Sequence, residues 1–284
     1  MDAWLILLPA FALSVLLVLT HTYLGLHVLA RGIIFVDLAL AQVAALGASL
    51  AFLLGQDPHG LDAHLYALGA TLAAAFGFAK LRRLPGKTMR EVVIGCVYVV
   101  ATALSIVVLS RSASGLDELK SMLNGSILWA RWEEIALIGG VYLVLVALHA
   151  VWRRRFHALS LAPVEAGEGA AEGAAEAPGF LWEFLFFASF AVVITLAVNL
   201  AGVLLVFAFL IIPAFSASLL ARTFGARLAL GWAIGVVGSL AGLWVSYNAD
   251  LPVGATMVSV LGALPIVAAL IAALARARRR AATP

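Results

Sequence analysis

The sequence has little that would support catalysis or a disulfide-stabilised fold. Cys96 is the only cysteine among 284 residues and lies in an apolar run, so we expect a small buried side chain there, with no internal disulfide and no thiolate metal site. Charged residues make up only 12% of the chain. A Gly-flanked serine nucleophile, a His-Glu-x-x-His motif and a Gly-rich phosphate-binding loop are all missing. These absences argue against an enzyme and predict a chain that does not hydrolyse ATP alone.

Apolar residues, in contrast, make up 64% of the sequence. They recur in runs of about 20 residues, which is the length that a helix needs to cross the hydrocarbon core of a bilayer. The runs are continuous and do not alternate, so we predict an all-α, polytopic transmembrane helical bundle. The first run begins after Met1 with no basic residue ahead of it, which favours a first span over a cleaved signal peptide.

About nine spans, in a range of eight to ten, account for the apolar runs. We place them at Leu5–Ala30, Ile33–Leu54, Ala63–Phe78, Val92–Leu109, Ile135–Val151, Phe180–Val198, Gly202–Leu220, Leu228–Tyr247 and Val253–Leu274. With the N-terminus outside and the C-terminus in the cytoplasm, all of the 18 basic residues except Arg111, Lys120 and Arg131 fall on the cytoplasmic side. The sequence therefore predicts a multi-pass protein of the inner or plasma membrane in that orientation.

The longest polar connection is residues 162–179, whose four glutamates are diluted in alanine and glycine. This composition favours a flexible cytoplasmic linker, and a helix in its alanine-rich part is the alternative. The linker separates the fifth and sixth spans of what we interpret as one transmembrane domain, residues 1–284.

Two carboxylates lie in or at the edge of apolar spans, where an ionisable group is costly and therefore a functional candidate. Asp37 is in the first turn of the second span, close to Arg31, so contact with a transported ion and stabilisation by the helix dipole are both open. Glu183 also begins a span from the cytoplasmic side, and for this residue the dipole interpretation is favoured.

Four of the six histidines form two groups. His21 and His27 belong to the first span, where their separation of six residues puts them on different faces of the helix, so they do not form a chelating pair. Each is a candidate for the metal path or a buried histidine bonded to a neighbouring helix. His59 and His64 lie with Asp57 and Asp62 in an outside break, which is either an external metal contact or an ordinary polar loop.

The segment Gly202–Arg227 is an apolar run that meets Pro213, then becomes small and hydroxylated, and then basic. Proline disturbs the helix around it, and the small residues Ala214, Ser216 and Ala217 leave room for another backbone. This pattern predicts a span that leads to a short surface helix at which a partner docks.

Within that segment, Gly202–Val206, Leu210–Ala214 and Leu219–Arg222 resemble the signature of the permease family of zinc, manganese and iron ATP-binding-cassette importers. Other stretches resemble the family in the same order along the chain: Leu24–Gly25 with residues 31–47, Leu123–Leu128 with Trp132–Glu134, and Ser246–Tyr247 with Asp250–Gly254. Together these pieces cover most of the sequence.

The resemblance implies a type II importer permease that forms a homodimer around a central path in the lipid bilayer. It implies a divalent metal ion as transported substrate and no permanently bound cofactor. An external solute-binding protein would deliver the metal, a separate cytoplasmic ATPase would drive transport, and no nucleic acid partner is expected.

The resemblance also implies roles for particular segments. Residues 213–227 would include the helix that couples to the ATPase, with Pro213, Ser216, Arg222, Phe224, Gly225 and Arg227 as candidate contacts. The outside cations Arg111, Lys120 and Arg131 would face the binding protein, or they are solubilising charges at the rim. Asp37, Gln42, His21 and His27 are the candidates for the metal path.

One departure from the family bears on the substrate. The family's second span often carries Asp-x-x-x-His, whereas in this sequence Gln42 falls where the histidine would be and Asp37 comes one residue early. Five residues of helix rotate Asp37 and Gln42 away from a common face. A glutamine oxygen suits harder cations such as manganese better than zinc, so the path is weakly coordinating or the substrate is not zinc.

Two other functions remain open. The related permeases of iron-siderophore and cobalamin importers share the Leu-Pro-Val-Gly turn, here residues 251–254, but they move a large chelate. A secondary transporter would need buried charge relays, which are nearly absent from the apolar runs.

Overall fold

The computed structural model describes residues 3–57, 60–81, 84, 86–111, 115–160 and 179–281. Within these ranges the chain forms ten α-helices and one 3-10 turn, Ile127–Trp129, with no strand, which confirms the all-α prediction. Apart from Gly179, the predicted linker lies outside the described residues. The helices are α1 (Ala3–Arg31), α2 (Val36–Leu53), α3 (Leu61–Lys80), α4 (Lys87–Leu109), α5 (Gly115–Asn124), α6 (Trp132–Val151), α7 (Arg153–Ser160), α8 (Phe180–Leu220), α9 (Phe224–Ala249) and α10 (Val253–Ala281).

The long helices run between two ends of one bundle. The N–H of Phe35, just before α2, donates to the Glu91 carboxylate near the start of α4 at 2.9 Å, so α2 and α4 begin at the same end. Arg31, the last residue of α1, forms an ion pair with Glu183 in the first turn of α8. We call this the basic end, because Arg31 and Arg90 line one cavity there. The far end holds α5 and the 3-10 turn.

Helix α8 is 41 residues long, which at 1.5 Å per residue is about twice the thickness of a bilayer's hydrocarbon core. Its regular geometry is broken at Gly202, where φ is 77° and ψ is 158°. Glu183 lies at the basic end, the Leu200 carbonyl accepts from the Ser126 N–H at the far end, and Phe224 returns to contact His27 near the basic end. The halves 180–201 and 203–220 therefore cross the bundle in opposite directions.

In the described part of the chain, eight helices are long and apolar enough to span a membrane. Because α8 supplies two crossings, these eight helices make the nine crossings that the sequence predicts. The boundary predicted at Gly202 coincides with the break.

The helices differ sharply in how much of their surface lies inside the chain. In the most apolar stretch of each helix, 72% of the residues are buried in α2 and 67% in α8, against 22% in α4 and 17% in α6. Helices α2 and α8 therefore form the centre, and α4 and α6 present apolar side chains outward. Cys96 on α4 is exposed, so the expectation of a buried cysteine is wrong. In this chain, an apolar stretch of sequence can therefore belong to a lipid-facing surface as well as to the interior of the bundle.

Helix α9 packs closely through buried glycines. A Cβ atom at Gly235 would lie 2.5 Å from Val18 on α1 and 3.2 Å from the ring of Pro213, while one at Gly242 would lie 2.8 Å from the Met257 backbone on α10. Gly231 and Gly238 are also buried, so one face of α9 presents backbone in place of side chains to its neighbours. Small residues at such spacing let membrane helices approach each other closely.

Replacing Gly202 with alanine should lower the midpoint of thermal unfolding by several degrees. A residue with a Cβ is strained at this φ and ψ by about 1–3 kcal/mol, and the new atom would collide with the backbone of Asn124 and Gly125. Gly140→Ala on α6 is the control, because nothing lies within 4 Å of its Cβ position. Equal midpoints for the two variants in detergent would contradict a required break at Gly202.

Candidate metal path and docking surfaces

Three buried polar side chains from different helices meet inside the bundle. His21 on α1 and Tyr142 on α6 have ring centroids 6.3 Å apart, and Tyr142 is within electrostatic range of Asp37 on α2. All three side chains are at most 1% exposed. We call His21, Asp37 and Tyr142 the central cluster.

His21 has one ring nitrogen committed and one open. Its Nδ1 lies 2.8 Å from the carbonyl oxygen of Leu17, one turn earlier in α1. A carbonyl only accepts, so Nδ1 carries the proton and Nε2 keeps its lone pair. Nε2 is buried and has no hydrogen-bond partner. Metal-binding histidines usually have this arrangement, in which the second nitrogen is held by a backbone carbonyl.

Asp37 has no partner for either carboxylate oxygen, although the side chain is buried. It lies in the first turn of α2, as the sequence predicts, but Arg31 does not reach it, because Arg31 is paired with Glu183. A buried carboxylate without a cation or hydrogen-bond donor is costly in a membrane. Protonation of the carboxylate, the helix dipole or a bound cation would offset this cost.

Tyr142 fixes the side of the cluster formed by α6. Its hydroxyl donates to the carbonyl of Val193 on α8 at 2.8 Å, which ties α6 to the centre of the bundle. Gln42, the other α2 candidate, is 3% exposed. Among the described residues, no group of three or more His, Cys, Asp and Glu side chains is placed to hold a metal ion. The central cluster alone thus offers one imidazole nitrogen and one carboxylate.

His27 lies in different surroundings from His21, nearer the basic end. Its ring makes an edge contact with Tyr23 at 4.7 Å and with Phe224 at 5.5 Å, and its Nδ1 is buried without a partner. Tyr23 also bonds through its hydroxyl to Nδ1 of His149 at 3.1 Å. The two first-span histidines do not meet at one site.

The segment 213–227 differs from the predicted short surface helix. Helix α8 continues to Leu220, and only Ala221–Thr223 separate it from α9, so no additional helix lies between them. Pro213 and Ser216 are buried inside α8 and are therefore not exposed docking contacts. We call residues 221–227 the basic-end turn.

The basic-end turn is held by its own hydrogen bonds. Thr223 caps α9 by accepting from the N–H of Ala226 at 3.4 Å, and Nε of Arg227 donates to the Ala221 carbonyl at 3.1 Å. Arg222 and Gly225 are exposed, whereas Phe224 is half-buried against Tyr23, His27 and His157. The turn therefore offers a defined surface that is joined to α1 and α7.

The three cations predicted to lie outside are exposed at the far end. Lys120 pairs with Asp117 at 3.4 Å, and Arg131 pairs with Glu134 at 3.2 Å, each within its own segment. Arg111 follows α4 and is exposed. His59 lies outside the described residues, and Nδ1 of His64 is 2.9 Å from the Gly60 carbonyl, so the predicted pair of histidines stays a prediction.

Some functional candidates emerge only from the structure. Tyr142 is a neighbour of His21 and Asp37, and the sequence shows it as an ordinary aromatic residue in an apolar span. His149 bridges Tyr23 and the Ser189 hydroxyl, the latter at 2.9 Å. Glu183, interpreted from the sequence through the helix dipole, is also an ion-pair partner of Arg31. The sequence signal for this ion pair was that charged residues of opposite sign stand at the ends of two predicted spans.

A bundle with nine crossings, a buried carboxylate without a partner and an ordered turn at its basic end is the architecture of a polytopic membrane protein. The model of the ABC 3 transport family matches residues 4–272, nearly the whole chain. The chain belongs to the ABC 3 transport family.

Known relatives agree with this placement. The manganese transport system membrane protein MntC of Listeria monocytogenes is 27% identical over 267 residues, covering 93% of this chain and 89% of that protein. A Haemophilus influenzae protein named "Probable iron transport system membrane protein" is 28% identical over 211 residues, covering 72% and 71%. The solved structure "PsaBC from Streptococcus pneumoniae in complex with Fab" shares the fold, with a TM-score of 0.70, 21% identity and coverage of 93% and 90%. The chain is thus a multi-pass permease of a metal ABC transport family.

If Asp37 contacts a bound divalent cation, replacing it with asparagine should abolish most of the thermal stabilisation that added Mn²⁺ produces in the purified protein. A ligand at about 100 times its Kd raises the unfolding free energy by about 2.7 kcal/mol, and most of that gain would be lost with the carboxylate. Thermal unfolding in detergent, with and without Mn²⁺, measures the effect. Asp250→Asn is the matched control, because Asp250 ends α9 in a left-handed conformation that asparagine also tolerates. A normal Mn²⁺ response with a lower metal-free midpoint would instead assign Asp37 to the helix dipole.

Proposed function

We propose that the chain is the permease subunit of an ATP-driven importer that moves a divalent transition metal ion into the cytoplasm. The observation that carries this proposal is Asp37, which is buried in the bundle with both carboxylate oxygens free of partners. Tyr142 is within electrostatic range of Asp37, and its ring centroid lies 6.3 Å from that of His21. A carboxylate oxygen and a neutral imidazole nitrogen together suit a divalent metal ion. With so few ligands, binding is weak enough for the ion to leave again, as transport requires.

The metal that fits best is manganese or ferrous iron. Gln42 stands where the family often has a histidine, so the second span lacks an imidazole that zinc would favour. The relatives whose names specify manganese and iron transport support the same choice. We also propose that the permease works as a homodimer, as the family resemblance implies.

The basic end faces the cytoplasm in this proposal, because basic residues next to span ends are retained there. The basic-end turn then receives the ATPase subunit, and no ATP site is assigned to the chain itself. The far end receives the external binding protein, with Arg111, Lys120 and Arg131 on the receiving face. Lys120 and Arg131 already have neighbouring carboxylates, so their pairing with a partner is weaker than for a free cation.

Substrate class is tested by ATP hydrolysis of the assembled, reconstituted transporter with its binding protein. We expect stimulation by Mn²⁺ or Fe²⁺ with little response to Zn²⁺, because the second span carries Gln42 in place of the histidine that zinc would favour. Stimulation by iron chelates or cobalamin alone would reassign the chain to a chelate importer. Metal uptake without any ATPase subunit would indicate a secondary transporter.

Placing a glutamate at Gly225 should uncouple or dissociate the ATPase subunit. Gly225 is exposed in the basic-end turn, and its Cβ position has nothing within 4 Å, so the substitution leaves the fold intact. Copurification of the ATPase subunit and metal-stimulated hydrolysis should both fall by about tenfold or more, since a rim charge of the wrong sign costs 1 kcal/mol or more. Arg278→Glu, at an exposed position late in α10, is the control. Full copurification and stimulation in Gly225→Glu would refute the docking role of the turn.

A further inference from the structure

A cavity at the basic end has no role in the metal path. Its volume is about 100 Å³, and it lies between the end of α1, the ends of α3 and α7, and the starts of α4 and α8. Its polar lining is Arg31, Arg90, Ser160 and Glu183. Each of these residues stands within a turn or so of the end of its helix, so the cavity lies at the depth where spans meet lipid headgroups.

Two buried donors line this cavity without a partner. Nη1 of Arg31 has none, although the side chain is only 9% exposed, and the hydroxyl of Ser160 has none at 1% exposure. Leaving a buried donor unsatisfied costs about 1–3 kcal/mol, and more for a charged group. Both donors call for an acceptor that the described residues do not supply.

The charge of the lining indicates what kind of acceptor fits. Arg31 and Arg90 contribute two positive charges and Glu183 contributes one negative charge, which is committed to Arg31. The guanidinium of Arg31 is held in place on its other side by the rings of Phe186 and Phe187, at 4.5 and 5.1 Å. A net positive cavity with a fixed arginine and a hydroxyl is suited to a phosphate group.

We propose that this cavity binds a phosphate group, supplied by an anionic phospholipid of the leaflet at the basic end or by free inorganic phosphate. The arginine and serine hydrogens donate to the phosphate oxygens. The apolar part of the lining, which includes Phe78 and Ile94, lies where the glycerol and first methylene groups of a lipid would follow. Basic pockets between membrane helices bind anionic headgroups in this way.

The experiment uses the full chain, purified in detergent and stripped of lipid. Phosphatidylglycerol, phosphatidylcholine and inorganic phosphate are added in separate arms, and bound molecules are counted by native mass spectrometry alongside thermal unfolding. We expect one retained phosphatidylglycerol per chain, bound about tenfold more tightly than phosphatidylcholine, whose choline carries a positive charge toward the arginines. If inorganic phosphate stabilises the protein as much as phosphatidylglycerol does, the cavity is a phosphate site whose ligand is free phosphate.

Two substitutions that leave the Arg31–Glu183 pair intact test the site itself. Ser160→Ala should weaken binding by about tenfold, the worth of one charge-assisted hydrogen bond. Arg90 already donates to the Leu84 carbonyl, so Arg90→Gln should weaken binding by a similar factor through the loss of a positive charge from the lining. The matched controls are Ser105→Ala, a buried serine of α4 bonded to the Ala101 carbonyl, and Arg155→Gln, which lies over the Trp182 ring. Unchanged binding in both site variants, or no binding of any of the three probes, would overturn the proposal and leave a cavity that holds water alone.

Discussion

Inside a bilayer every backbone N–H and C=O must find its partner within the protein, and the centre of this bundle depends on that constraint. The break at Gly202 interrupts the hydrogen-bond ladder of α8 where its two halves meet. The Leu200 carbonyl there accepts from the N–H of Ser126, and Gly125 lies against Gly202 with no room for a side chain. The segment between α4 and α6 therefore completes α8 and allows it to cross twice with no loop.

The number and position of the spans could be predicted because length and apolarity alone decide whether a helix crosses a membrane. Even the boundary at Gly202 followed from length, since one apolar stretch was too long for a single crossing. Which helices occupy the centre could not be predicted. Lipid and protein interior are both apolar, so the sequence around exposed Cys96 reads much like that of a buried span.

Asp37 and His21 could be predicted as candidates from residue type, because ionisable side chains are rare in apolar spans. Their surroundings could not. Tyr142 reaches them from a distant helix, and Arg31 pairs with a carboxylate 152 residues away in the sequence, so no local spacing reveals either contact. The Arg31–Glu183 pair joins the ends of two different helices, and that juxtaposition exists only in three dimensions.

Phe224 joins the basic-end turn to α1 and α7 by direct side-chain packing. Its ring packs directly against the rings of Tyr23 and His27 on α1 and of His157 on α7. Gly25, close by on α1, lies directly against the backbone of Leu210 on α8. A force applied to the turn would therefore reach α1 through packed side chains, and the returning half of α8 through the close contact of Gly25 with Leu210.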